Sequence, residues 1–392
     1  MEPALNKADI EAKINQIKSF IEVDGTNPHL FINLGDLYHK ISKNDEAEDC
    51  YLKSLKLSDS PVAQSRLGLV KISKHQFQDA ENIFNKVIKT EEGESSTLIF
   101  NLALAQYHLM KWGRALKNFI KAMDNGVSET ACLPHISRCY RHLYDFKSAK
   151  ENCISWLDKT NSADAKGYLA LLEMDSGNSA EANKLAYEVL KADPDNADAG
   201  IVIGTHLVEE HDILKARNQF NRIIKNENLN ARALFGLGLT HMYEQEHAKA
   251  LQYMEQGSSM IPNDTGMKVA IGWAKVNIQD LDGAEKVFME TIQINRKFPE
   301  GHGGLAYVLA LKAKMHQAKE SMEMAFSLDP DSFSASAAKS VIIGYEQNLD
   351  ESTKYLSNVL ESPQGPGQKS MMEHLEIYMK NHPPQKDKTD SE

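Results

Sequence analysis

Apolar positions repeat along the chain with a long, regular period. Alanine recurs at Ala47, Ala80, Ala115, Ala149, Ala182, Ala216, Ala250, Ala284 and Ala318, at intervals of 33 to 35 residues. Four residues beyond each stands a mostly bulky side chain: Tyr51, Phe84, Phe119, Cys153, Ala186, Phe220, Met254, Phe288 and Met322. Twelve residues before the alanine lies a small residue in most units (Gly35, Gly68, Ala103, Ala170, Gly204, Gly238, Gly272, Ala306), preceded by leucine or isoleucine. Residues four apart share a helical face, so each alanine and its bulky partner lie on one seam. The small residues mark where two antiparallel helices cross closely. Prolines fall near the unit boundaries at Pro28, Pro61, Pro194, Pro262, Pro299 and Pro330, where the lack of an N–H ends a helix. The pattern predicts nine tandem repeat units, each burying its apolar face only against its neighbours.

The flanks follow from the same patterning. Residues 7–23 read as an amphipathic helix with Ile10, Ile14, Ile17 and Phe20 on one face, so residues 1–26 are expected to cap the N-terminal end. A degenerate tenth unit, with Ser352, Leu356 and Val359 in register, extends the repeat domain over residues 27–361. Residues 362–368 have linker composition, residues 369–381 read as a short amphipathic helix carrying Met371, Met372, Leu375, Tyr378 and Met379, and residues 382–392 as a disordered tail. The fourth unit departs from the pattern. It has Ser137 at the small position and Pro134 where the first turn of its first helix is expected, which predicts a late-starting helix.

This repeat resembles the tetratricopeptide family, whose 34-residue unit places a Leu-Gly pair in the first helix and spaced alanine, aromatic and proline in and after the second. The resemblance covers about residues 28–332 and implies an all-α, right-handed superhelical solenoid with capping helices. It further implies a concave groove lined by the first helix of each unit. The positions that the resemblance assigns to the groove carry Phe100, Tyr107, His108, Arg138, Arg141 and His142 in the third and fourth units. In the sixth to ninth they carry Ile201, Val208, Phe235, Leu239, Met242, Tyr243, Val269, Trp273, Val276 and Tyr307. The first set forms a cationic-aromatic patch, in which Arg138 and Arg141, three apart on one face, are placed to clamp a carboxylate together. The second forms an apolar surface suited to a peptide or amphipathic helix. Two binding submodes of the family are not matched. The chaperone-tail clamp would need asparagine after Gly35 and lysine three before it, where Asp36 and Ile32 stand. An asparagine ladder finds only Asn33 and Asn101.

Composition narrows the function. The net charge is −11, which disfavours binding to a phosphate backbone, and residues 1–160 carry 21 basic and 21 acidic residues, so the excess acid lies in 161–392. Four cysteines without a Cys-x-x-Cys motif make neither a disulfide framework nor a zinc ribbon. No run of 18 apolar residues and no secretory signal pattern occurs, and a cytoplasmic location is expected.

Enzymatic constellations are weak. His302-Gly303-Gly304 is similar to an esterase oxyanion loop, but no Gly-x-Ser-x-Gly elbow accompanies it, and close helix packing is the better account. His241 and His247 flank Glu244 and Glu246 without a metalloprotease spacing, and Cys132, Cys139 and Cys153 read as small buried side chains. No catalytic residue, metal or cofactor is expected. The chain therefore reads as a non-enzymatic scaffold or chaperone-like adaptor binding a protein segment, apolar or amphipathic, with no nucleic acid partner and no membrane insertion. By family analogy such proteins support multi-component assemblies, including bacterial secretion or envelope machinery. The alternative is a regulator whose superhelix changes state on capturing a peptide. A homodimer through the C-terminal helix, or its return into the groove, completes the expectations.

Overall fold

The structure, a computed structural model, describes residues 7–89, 95–226, 230–346 and 348–361. The described residues form α-helices and no strand. The chain divides into two compact units, Met1–Ser176 and Gly177–Glu392. The first holds α1 (Lys7–Val23), α2 (Pro28–Lys40), α3 (Asn44–Leu57), α4 (Pro61–Ser73), α5 (Phe77–Ile88), α6 (Ser96–His108), α7 (Trp112–Asp124), α8 (Glu129–His142), α9 (Phe146–Thr160) and α10 (Ala163–Asp175). The second holds α11 (Ser179–Ala192), α12 (Ala197–Glu209), α13 (Ile213–Asn226), α14 (Ala231–Tyr243), α15 (His247–Met260), α16 (Thr265–Asn277), α17 (Leu281–Ile294), α18 (Pro299–Leu311), α19 (Met315–Leu328), α20 (Phe333–Tyr345) and α21 (Leu349–Glu361). Within each unit, helices pack on the next helix in the chain, and first helices also pack on one another, α18 on α20 most extensively. The linker, terminal helix and tail expected over 362–392 lie outside the described residues.

Local chemistry punctuates the helices at the repeat period. Asn27, Ser60, Ser162, Asn196, Asn230, Asp264 and Ser332 each accept a backbone N–H at the start of a first helix, satisfying one of its orphan donors. Eight first helices are closed by a left-handed non-glycine residue, at Ser42, His75, Met110, Tyr144, His211, Gln245, Gln279 and Ala313, with φ between 58° and 63°, and α10 by Gly177 with φ 83°. The following N–H then reaches back five residues, as in Lys43 N to Tyr38 O at 2.9 Å and Lys314 N to Leu309 O at 2.9 Å. This is the Schellman geometry, which uses the last orphan carbonyls.

Packing follows the small–bulky pairing. Tyr51, Phe84, Phe119 and Phe288 are fully buried and Phe220 is 1% exposed. A Cβ on Gly204 would lie 2.5 Å from the Phe220 ring, and one on Gly272 2.5 Å from Phe288, so only glycine permits these rings to seat. In the fourth unit Ser137 occupies the small position and its hydroxyl donates to the Ala149 carbonyl at 2.6 Å.

Two expectations need correction. The helix of the fourth unit does not start late: α8 begins at Glu129 and runs through Pro134. The proline leaves the Thr130 carbonyl without its usual intrahelical donor, while Cys132 and Ile136 on either side of it are buried against Ala115 and Phe119 of α7. In α1, Ile10 and Ile14 are buried and Ile17 packs beside them, but Phe20 is 48% exposed and Ile21 completes the face. The 3.6-residue turn carries the stripe to position 21 rather than 20.

Candidate partner-binding faces

In the first unit the expected patch is a nest of rings. Phe100, Leu104 and Tyr107 of α6 pack on the core formed by Ala103, Ala115, Phe119, Cys132, Ile136 and Cys139. His142 stacks on Trp112 at 4.4 Å, and its Nε2 lies 3.3 Å from the Tyr107 hydroxyl. His108, exposed, stacks on Phe77 at 4.4 Å. His135 stacks on Phe119 at 4.9 Å, and its buried Nδ1 makes no hydrogen bond. Burial, followed by the charge of Arg138 and by His108, pushes the His135 imidazole down to about 4. Phe77, Trp112 and His135 escaped the sequence reading. An aromatic opens three successive second helices, α5, α7 and α9 (Phe77, Trp112, Phe146), at the repeat period, and was the legible signal for the first two.

The two arginines do not form a joint clamp. Arg141 Nε donates to Asp175 at 2.6 Å, with both side chains nearly covered. Arg138 lies over the rings of Tyr168, at 4.7 Å, and Trp156, at 5.5 Å, and Nη1 donates to the Pro134 carbonyl at 3.3 Å. Three-residue spacing put them on one helical face, but the carboxylate and the rings that engage them come from α9 and α10.

In the second unit the apolar set is brought together along successive first helices. Phe235, Leu239 and Met242 pack on Leu251, Met254, Ile271 and Ala274. Trp273 and Tyr307 lie 4.9 Å apart, tilted, and pack on the core around Phe288. Tyr243 sits edge-on to His211 at 5.3 Å. Phe235, Leu239, Met242, Tyr243, Trp273 and Tyr307 are all half-buried: their bases join the core while part of each side chain stays open to solvent. Three expected groove residues differ. Val276 is 6% exposed against Val308 and Ala284, and Ile201 and Val208 are 3% and 8% exposed. They support the face from beneath, because neighbouring helices cover positions that the repeat register alone leaves open.

The remaining candidates resolve into packing and ion pairs. Gly303 admits α20 against α18: a Cβ there would stand 2.5 Å from the Ala335 nitrogen. Glu300 accepts from the hydroxyls of Ser332, at 2.7 Å, and Ser334. His241, Glu244 and Glu246 are the group among the described residues whose ligand atoms converge, within 4.8 Å. Their negative charge is already matched, since Arg217 meets Glu244 at 2.5 Å, and Lys249 and His241 meet Glu246 at 2.9 Å and 2.6 Å. Cys50, Cys132, Cys139 and Cys153 are buried thiols, and burial pushes Cys139 up to about 12, far from a reactive thiolate. No helix among the described residues is long and apolar enough to cross a membrane.

The charge pairs that join successive units also escaped the sequence reading. The residue after the periodic alanine meets the end of the next first helix: Glu48 with Lys71 at 2.6 Å and Lys74 at 2.8 Å, Glu81 with Lys111 at 2.5 Å, and Glu285 with Lys312 at 2.6 Å and Lys314 at 3.2 Å. Three junctions reverse the polarity, with Lys150–Glu173 at 2.7 Å, Arg217–Glu244 at 2.5 Å and Lys319–Glu346 at 2.7 Å.

Comparison with known proteins agrees with this architecture. Tetratricopeptide-repeat family models match residues 28–61 and 201–259. TPR repeat-containing protein MJ1428 of Methanocaldococcus jannaschii is 21% identical over 353 residues, covering 87% of this chain and 59% of its own length. Human protein O-mannosyl-transferase TMTC1 is 25% identical over 260 residues, covering 66% of this chain and 25% of its own length. The chain thus spans about a quarter of the human relative and rather more than half of the archaeal one. The solved structure of a human IFIT1 dimer with m7Gppp-AAAA superposes with a TM-score of 0.52 at 13% identity, covering 92% of this chain and 96% of that one, a likeness of fold. With the period, the helix pairs and both family matches in agreement, the chain carries tetratricopeptide repeats at residues 28–61 and 201–259 within an all-α array of tandem helix pairs.

Proposed function

We propose that this chain is a non-enzymatic scaffold or adaptor that captures an apolar or amphipathic segment of a protein partner on the first-helix face of its second unit. The observation that carries the reading is the row of half-buried Phe235, Leu239, Met242, Tyr243, Trp273 and Tyr307. These side chains are fixed at their bases by the core, so a bound segment meets a surface already ordered, and little further entropy is lost on binding. Aromatic and methionine side chains suit the apolar stripe of a helix laid across them. The family supports the general role of protein interaction; partner class, adaptor role and a cytoplasmic setting are our reading. The transferase activity in the human relative's name and the capped RNA in the IFIT1 title belong to those proteins. The net charge of −11 favours a protein partner over a phosphate backbone here.

The test uses fluorescent 15- to 20-residue amphipathic peptides with leucine- and methionine-rich faces, read by anisotropy. Met242→Lys with Tyr307→Lys places charge on the face while the long side chains reach water, so the helices stay folded. Peptide binding weakens at least tenfold while circular dichroism is retained. Undiminished binding by the folded double variant would place the partner face elsewhere.

A further inference from the structure

The turns that join first to second helices differ in charge between the two units. In the third and fourth repeats, residues 109–114 and 143–148 hold Lys111, Arg114 and Lys147 against a single acid, Asp145. The equivalent residues of the second unit, 210–215, 244–249 and 278–283, hold more acids than bases. The basic sign is therefore not imposed by the fold. Helix dipoles favour acid in a first turn, and α3, α5, α11 and α17 carry Asp or Glu there. Against that preference, α7 and α9 carry Arg114 and Lys147. Both residues are exposed, and Arg114 meets no carboxylate among the described residues. Asp145 spends its carboxylate on the N–H and hydroxyl of Ser148, at 3.1 Å and 2.7 Å.

Beside these cations the fourth turn is apolar and open. Leu143 is 44% and Tyr144 64% exposed. Tyr144 stands at the left-handed position that other repeats give to Ser42, Gly177, Gln245 and Gln279. Its ring meets Phe146 edge-on at 6.3 Å. His142, immediately before Leu143, stacks on Trp112 at 4.4 Å and so joins the third turn to the fourth. The rings are thus held by one another before anything binds, which lowers the entropy a partner must give up. Exposed apolar side chains flanked by cations suit an anionic partner with apolar side chains of its own. Phe77 and Trp112 each already give a face to a histidine, and three cations are few for a phosphate backbone, so the surface favours a peptide over a nucleic acid.

We propose that the edge formed by the third and fourth turns, centred on Arg114, Leu143, Tyr144 and Lys147, is a second docking surface whose partner is an acidic protein segment carrying leucine or aromatic side chains. Carboxylates of the segment pair with Arg114 and Lys147, while its apolar side chains cover Leu143 and Tyr144. The probe is a short fluorescein-labelled peptide of glutamates interspersed with leucine and tryptophan, titrated into the full-length chain and read by anisotropy. Its glutamine analogue binds at least tenfold more weakly, and added salt weakens the acidic peptide. Arg114→Glu with Lys147→Glu costs at least tenfold in affinity. Tyr144→Asn, which suits the left-handed backbone, costs about threefold. Both variants keep the parent's circular dichroism. Met242→Lys with Tyr307→Lys leaves binding of the acidic peptide unchanged, which separates this surface from the apolar face of the second unit. No measurable binding by the parent, equal binding of the glutamine analogue, or full affinity in the folded Arg114 and Lys147 double variant would overturn the proposal. Loss of binding in the Met242 and Tyr307 variant would do the same, by placing the peptide on the other face. So would a single-stranded RNA oligonucleotide that displaces the peptide at lower concentration, since the edge would then be a nucleic-acid site.

Discussion

At the scale of single residues, the repeat works by confining variation to positions that tolerate it. Eight first helices end on a non-glycine residue with left-handed backbone, each costing about 1 kcal/mol, and the Schellman bonds that follow hold them there. The buried rings impose the opposite demand, since the facing position admits no Cβ at Gly204 or Gly272. His135 is a third case, a histidine used as an aromatic plate against Phe119 with its Nδ1 unpaired. Its folded value, about 4, lies below the ordinary 6.5, so the unfolded chain binds the extra proton first. The stability this residue contributes is complete above pH 6.5 and is lost as pH falls from 6.5 through about 4. Urea midpoints measured across that window fall with acidity in the parent, and His135→Leu flattens the slope. A residual slope is expected from His108, which partial desolvation, followed by the charge of His75, also holds low.

Between elements, charge completes what apolar packing begins. Glu285 faces Lys312 and Lys314 across the junction of α17 with α18, and those lysines hold its carboxyl below the usual range. Glu285 and Lys312 are each about four-fifths covered, so the pair is screened less than a fully exposed one. Glu285→Lys sets three cations together and costs about 1–2 kcal/mol, more than the 0–1 kcal/mol of an ordinary surface pair. Adding Lys312→Glu recovers most of the loss. A double-mutant cycle by urea denaturation checks the coupling, and independent, additive effects would deny the pair any role in the junction. Such pairs were invisible in the sequence. The alanine-plus-one register is regular, but its partner lies 23 to 30 residues on and changes sign between junctions.

Along the chain, a helix contacts the next one or two helices, as α18 does α19 and α20, so damage should stay local. Gly303→Ala drives a methyl into the backbone of Ala335 and costs about 1–3 kcal/mol, the range for overpacking a tight interface. Hydrogen exchange should quicken in α18, α19 and α20 and stay unchanged in α2 to α7. Uniform acceleration over all helices would show one cooperative block in place of a repeat array.

The period and the helix pairs were written in the sequence, because a 34-residue unit buries its apolar faces only by stacking on copies of itself. The burial of Phe220 and Phe288 beneath glycines follows from that same spacing. The tertiary structure alone decided which surface positions remain open. Arg138 and Arg141 were turned aside by Tyr168 and Asp175, Val276 was covered by Val308, and α8 ran through Pro134. Each outcome depends on a residue from another helix, and helical spacing within one element carries no information about what the next element brings against it.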